Sequence, residues 1–189
     1  EGHALEAITV DENNQYYSSD EYGVLFDKEK TKLMQYPAAA PAESYVIPDG
    51  VTAFILDWYG PTLYPFGGAH NLKEITIPAS VTSEMHFSSY MSFFEKINVS
   101  PDHTDYKSVD GVVYSKDGTA LVNYPGASKK TCLVIADGVT TIGSRFNYPT
   151  HQYLASIVYN EEISESITPI EDGKEYYDSE NPLLTDIYY

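Results

Sequence analysis

Residues 94–140 read FEKINVSPDHTDYKSVDGVVYSKDGTALVNYPGASKKTCLVIADGVT, and they nearly replay residues 5–52, LEAITVDENNQYYSSDEYGVLFDKEKTKLMQYPAAAPAESYVIPDGVT. The two copies stand 89 residues apart at Leu5/Phe94, Ile8/Ile97, Val10/Val99 and Tyr17/Tyr106. The offset becomes 88 from Gly23/Gly111 through Thr31/Thr119, Leu33/Leu121 and Tyr36/Tyr124 to Asp49/Asp137. Repetition on this scale identifies a stack of like supersecondary units, each burying its apolar face against the next. It also means that residues shared by both copies are first to be read as scaffold.

A shorter pattern runs through both copies and beyond them. Apolar-x-x-Ile-x-apolar recurs at Leu5/Ile8/Val10, Leu72/Ile75/Ile77, Phe94/Ile97/Val99, Leu154/Ile157/Tyr159 and Leu184/Ile187/Tyr189. Its last two members alternate with period two, the mark of a short strand with one buried face. Tyr45-Val46-Ile47 and Leu133-Val134-Ile135 fit the same frame, and IPDGVT, IPASVT and IADGVT end three of the strands. Register residues at 8, 45, 75, 97, 133, 157 and 187 predict a buried ladder of stacked strands.

Two of the intervals are long enough to hold something more. Residues 23–37 and 111–125 each read as two strand-like runs about a polar turn, Lys28-Glu29-Lys30 in one and Lys116-Asp117-Gly118 in the other. Alternating strands about Asp-Gly predict a hairpin. Helix signals are few. Phe87, Tyr90, Met91 and Phe94 fall at helical spacing, and Phe66, Ala69 and Leu72 suggest a shorter turn of the same kind.

Composition narrows the function classes. The formal charge is −17, from 28 acidic and 11 basic residues, which argues against a nucleic-acid or anionic-membrane surface, since either needs a basic footprint. No apolar run approaches the roughly 20 residues of a membrane span, so membrane insertion by this segment is not expected. One cysteine, Cys132, leaves no internal disulfide framework. Both ends fall inside a repeat, so residues 1–189 read as a single solenoid cut from a longer chain, with any targeting signal or anchor outside it.

These residues resemble the bacterial leucine-rich repeats of the BspA-like, or Treponema pallidum, type. Leu72-Lys73-Glu74-Ile75-Thr76-Ile77-Pro78-Ala79-Ser80-Val81-Thr82 is similar to the first half of that repeat, L-x-x-I-x-I-P-x-x-V-T. Val139-Thr140-Thr141-Ile142-Gly143 is similar to its middle, and Phe66 to Leu72 to its F-x-x-C-x-x-L, with Ala69 in place of Cys. The pattern departs at 53–65 and after Gly143. The expected fold is a β-rich α/β leucine-rich-repeat solenoid of short stacked strands, with a few short helical turns and two duplicated β-hairpin insertions. The resemblance implies a non-enzymatic cell-surface or secreted protein in adhesion or protein–protein interaction. An alternative is a carbohydrate-contacting accessory module of a larger surface enzyme.

Chemistry-bearing motifs are scarce. The five histidines lie in different repeats, and none has a second His or Cys at metal-ligand spacing. No nucleophile elbow, P-loop or dinucleotide-binding glycine pattern occurs, so no catalytic residue and no cofactor are expected. Cys132 takes the strand position of Glu74 and Lys96, the place of a bland thiol. The acidic clusters at Asp11-Glu12-Asn13-Asn14 and Asp102-His103-Thr104-Asp105 lack the ordered ligand spacing of a calcium loop and read as turns; weak calcium binding there stays open. Eighteen tyrosines are the remaining signal. Tyr17/Tyr106 and Tyr36/Tyr124 are shared by both copies and read as scaffold. Trp58, Tyr59 and Tyr64 lie in an irregular Pro/Gly loop, where rigid aromatic contact area serves binding. With Thr76 and Asn98 on the outward strand rows, they are the candidate contacts for an extracellular protein or glycan.

Overall fold

The structure is a computed structural model that describes residues 4–54, 65–82, 93–142, 153–154, 156–158 and 186–188. Contacts divide the chain into two compact units, residues 1–86 with 99–103, and residues 87–98 with 104–189. Each is a β-solenoid-type stack of short strands, and no helix occurs among the described residues.

The first unit holds β1 (Tyr17–Ser19), β2 (Leu25–Asp27), β3 (Lys32–Gln35), β4 (Ser44–Val46), β5 (Ala53–Phe54) and β6 (Glu74–Ile77). The β1, β2 and β3 strands form an antiparallel meander, and β3 continues into β5 by parallel pairing at Lys32/Ala53 and Leu33/Phe54. Separately, β4 and β6 pair in parallel with Tyr45 beside Ile75 and Val46 beside Thr76. Period-two alternation sends Tyr45, Ile75 and Ile77 inward, each at most 2% exposed, and turns Val46 to solvent.

The second unit repeats this plan. It holds β8 (Tyr106–Val109), β9 (Val112–Ser115), β10 (Ala120–Asn123), β11 (Cys132–Val134), β12 (Thr141–Ile142), β13 (Ser156–Val158) and β14 (Asp186–Tyr188), preceded by β7 (Lys96–Val99), which ends at the division between the units. The β8-β9-β10 meander joins β12 in parallel, while β11, β13 and β14 stack in parallel with Leu133, Ile157 and Ile187 in register. The core packs Val112, Leu121, Leu133, Ile135, Leu154 and Ile157. Thus Ile75, Ile97 and Ile157 are buried as the spacing predicts. Ile8 departs from the ladder: it is half-exposed and lies outside any strand.

Two expectations need correction. The antiparallel pairs β2–β3 and β9–β10 are not insertions beside a coil; each is the middle of a four-stranded sheet bounded by β1 and β5 or by β8 and β12. The reason is that Thr31 and Thr119 carbonyls accept the N–H groups of Thr52 and Thr140 at 2.8 Å, which draws the following turn onto β3 and β10. The helical turn expected at Phe66–Leu72 is a pair of tight turns, Ala69 N–H to Phe66 O at 3.1 Å and Leu72 N–H to Ala69 O at 3.0 Å. Gly67-Gly68 favours turns over helix, and Gly68 takes φ +79°. The turn expected at Phe87–Met91 lies outside the described residues.

The shift of offset from 89 to 88 has a physical origin. In the second unit Val109 pairs with Val112, so β8 and β9 are joined by the two residues Asp110 and Gly111, both at positive φ (52° and 82°). That is the primed turn which Asp-Gly favours. In the first unit Asp20 N–H donates to Val24 O at 3.2 Å, leaving Glu21, Tyr22 and Gly23 as a three-residue loop. The Asp20 carboxylate secures it by accepting from Tyr22 N–H at 3.0 Å and Val24 N–H at 2.9 Å.

Candidate interaction surface

Each unit has its own outward row on its parallel strands. In the first unit Ser44 lies beside Glu74 and Val46 beside Thr76. In the second, Cys132 lies beside Ser156 and Val134 beside Val158. Val46 is 67% exposed, Val134 63% and Val158 36%. Parallel sheets are ordinarily covered on both faces, so open valines here leave apolar area that the fold itself does not use.

Among the candidate contacts, Thr76 sits half-buried on β6 beside Val46, and Asn98 sits half-buried on β7. Trp58, Tyr59 and Tyr64 lie outside the described residues. Cys132 is exposed and carries a free thiol. Among the described residues no three His, Cys, Asp or Glu side chains gather as they would around a metal ion, and no helix is long and apolar enough to cross a membrane.

Buried tyrosines brace the first unit from within. Tyr36 packs on Tyr45 and Phe66 with ring centres 5.4 and 5.7 Å apart, and Tyr22 meets Tyr45 edge-on at 5.5 Å. The Tyr45 hydroxyl donates to Asp20 Oδ2 at 2.6 Å, tying the β1–β2 loop to β4. Burial first, and the Asp20 carboxylate second, hold the Tyr45 pKa far above the ordinary phenol value. Burial and Asp20 raise Tyr36 in the same direction. Its hydroxyl is fully buried and has no hydrogen-bond partner among the described residues. In the second copy burial raises the Tyr124 phenol, and a hydrogen bond with Ser128 offsets part of that rise. Position 40, the counterpart of Ser128, is Ala.

The turns that close the meanders show the same substitution of parts. Asp27 Oδ1 accepts Lys32 N–H at 2.8 Å, and in the second copy Ser115 Oγ accepts Ala120 N–H at 2.9 Å. Asp117 then takes over as the acid of the turn, accepting from the Ser115 hydroxyl at 2.6 Å and from Thr119 N–H at 3.0 Å. Those bonds, the Ser115 hydroxyl first, hold the Asp117 carboxyl down to about 2. For Asp27, burial acts upward, but bonds from the Thr31 hydroxyl and the Lys32 and Thr31 amides outweigh it and lower the pKa.

One exposed feature was missed in the sequence. Tyr16 is 74% exposed, and Tyr17, which pairs with Asp27 on β1, is 43% exposed. Comparing the copies position by position would have drawn attention to Tyr16, since its counterpart is Asp105.

No protein-family model matches the sequence, and no curated protein matches it. Among solved structures the chain is similar to a leucine-rich repeat protein from Eubacterium ventriosum ATCC 27560, with 25% identity and a TM-score of 0.47 over 64% of this chain and 30% of that one. It is similar to the pneumococcal vaccine antigen PcpA, with 16% identity and a TM-score of 0.43 over 100% of this chain and 61% of that one. A leucine rich cell surface protein from Faecalibacterium prausnitzii A2-165 shows 21% identity and a TM-score of 0.44 over 78% of this chain and 41% of that one. The chain spans less than two thirds of each of these proteins.

Proposed function

We propose that this chain is a non-enzymatic interaction module of a bacterial cell-surface or secreted protein, of the BspA-like leucine-rich-repeat kind, and that it adheres to an extracellular protein or glycan. The observation that carries the reading is the open strand face, where Val134 and Val158 lie side by side in solvent over a fully packed core. A broad, shallow face of valine, serine and threonine suits a macromolecule better than a small substrate, which needs a concave, largely enclosing site. Adjacent small apolar side chains supply contact area at little cost in side-chain entropy.

The test is a binding screen of the purified chain against extracellular-matrix proteins and a glycan array, repeated with Val134→Asp and Val46→Asp. Both side chains are exposed, so the variants should fold, as circular dichroism checks. Loss of a binding signal in either folded variant supports the face; unchanged binding in both overturns it. Reproducible turnover of any substrate by the chain would overturn the non-enzymatic part.

A further inference from the structure

We propose that residues 5–11 are a docking edge for a parallel strand of this chain's own repeat frame, Leu-x-x-Ile-x-Ile, supplied by a leucine-rich-repeat partner. This edge is distinct from the open strand face and stands whether or not that face binds. Residues 94–100 are the same segment in the second copy, and the two are held alike along one side. Ile8 N–H donates to Gly23 O and Ile97 N–H to Gly111 O, each at 3.0 Å. Leu5 O accepts from Ala39 N–H at 2.8 Å, and Phe94 O accepts from Ala127 N–H at 3.1 Å. Two residues beyond Ile8, Val10 N–H reaches Ser19 Oγ at 3.1 Å.

The other side differs between the copies. Alternation along an extended chain aims the polar groups of Thr9 and the Asp11 N–H away from the side that Ile8 and Val10 use. In the second copy Ser100, the counterpart of Asp11, donates its N–H to Ile77 O at the end of β6 at 2.9 Å. In the first copy the main chain of Thr9 and the Asp11 N–H make no hydrogen bond among the described residues. The side chains show the same contrast. Phe94 and Ile97 are 0% exposed and Val99 8%, whereas Leu5 is 43% exposed and Ile8 and Val10 are half-buried.

The chain also displays what fits such an edge. The β6 segment carries Leu72, Ile75 and Ile77 in the frame, pairs in parallel with β4, and accepts Ser100 at its end. A strand of that sequence laid along residues 5–11 would take the Asp11 N–H as Ile77 takes that of Ser100, and would cover Leu5, Ile8 and Val10. Main-chain pairing and apolar burial then act together. Because the segment is already fixed along its other side, docking costs less ordering entropy. Residues 5–11 also contain neither the lysine nor the proline with which natural proteins commonly blunt an edge.

The probe is a synthetic peptide of residues 70–82, HNLKEITIPASVT, added to the full chain. Its control carries Ile75→Thr and Ile77→Thr. Amide shifts and hydrogen exchange of Thr9 and Asp11 follow binding. The parent peptide should slow exchange at both amides by about tenfold or more, and the control should not. Thr9→Pro removes an outward donor and Leu5→Asp an exposed apolar contact, so each should weaken binding about tenfold. Thermal melts check the fold of both, and Leu5→Asp leaves the backbone unaltered should Thr9→Pro perturb it. No protection by the parent peptide, equal protection by the control, or parent-like binding by both folded variants would each overturn the proposal. Sedimentation showing that a second copy of the chain takes this edge and excludes the peptide would assign it to self-assembly instead. Leu5→Asp leaves Val46 and Val134 untouched, so this edge and the strand face can fail independently.

Discussion

The carbonyl oxygen of Gly111 accepts the N–H of Ile97 at 3.0 Å, and Gly23 does the same for Ile8 at 3.0 Å. In both copies a glycine in the β1–β2 or β8–β9 turn anchors the segment that begins the repeat, a strand at Ile97 and irregular chain at Ile8. The contact is tight. A Cβ added to Gly111 would lie 2.7 Å from Lys96 Cβ, and one added to Gly23 would lie 2.6 Å from Ala7 Cβ. Both glycines also hold positive φ, at 82° and 74°. Gly111→Ala and Gly23→Ala should each cost roughly 1–3 kcal/mol through strain and close contact. Denaturant unfolding checks this, and wild-type stability in both variants would show that the turns do not dock as described.

Truncating the ladder should cost more. Ile75 is 1% exposed and Ile97 0%, so Ile75→Ala or Ile97→Ala should lose roughly 2–5 kcal/mol, the cavity adding to the lost transfer energy. Half-exposed Ile8 supplies the contrast: Ile8→Ala should cost clearly less in the same urea titration. Equal costs at all three positions would contradict the burial.

The unpartnered Tyr36 hydroxyl predicts a stabilising change. Ala40→Ser places a hydroxyl where Ser128 faces Tyr124, and should gain about 1 kcal/mol if the new side chain reaches the phenol. Tyr36→Phe removes the unpaired group and should be neutral or stabilising, whereas Tyr124→Phe should not stabilise. Thermal melts of the three variants distinguish these outcomes.

Acid should act on the meander turns. With its folded pKa held near 2 against an ordinary 3.8, Asp117 favours the folded chain fully above pH 4, and that contribution fades as pH falls from about 4 toward 2. Asp27, also lowered, acts with the same sign. An NMR titration of side-chain carboxyl carbons should find Asp117 titrating near 2, and Ser115→Ala should move it upward. A midpoint near 4 in the parent chain would show that the Ser115 bond does not persist in solution.

Much of the fold was legible because it rests on periodicity. Ile75, Ile97 and Ile157 are buried where the apolar-x-x-Ile-x-apolar frame puts them, and Leu133 pairs with Ile157 in the expected register. Periodicity carries no information on how far a pair of strands is drawn into a wider sheet. The β2–β3 pair therefore read as an insertion, although Thr31 and Thr52 close it into four strands. The candidate surface was only partly legible: outward positions such as Thr76 follow from alternation, but the exposure of Tyr16 depends on the side chains that leave it uncovered.

The one-residue difference between the Glu21-Tyr22-Gly23 loop and the Asp110-Gly111 turn bears on how such a chain tolerates change in length. Within a strand, a single insertion reverses the parity of every later side chain and exchanges core for solvent. Here the extra residue falls between β1 and β2, and Phe26 and Leu33 beyond it are buried like Tyr114 and Leu121, their counterparts in the shorter copy. Grafting residues 109–112 in place of 20–24 would shorten the first copy by one residue and leave that parity intact. The turn is thus a length buffer, the place where duplicated segments can drift apart in size and still share one core.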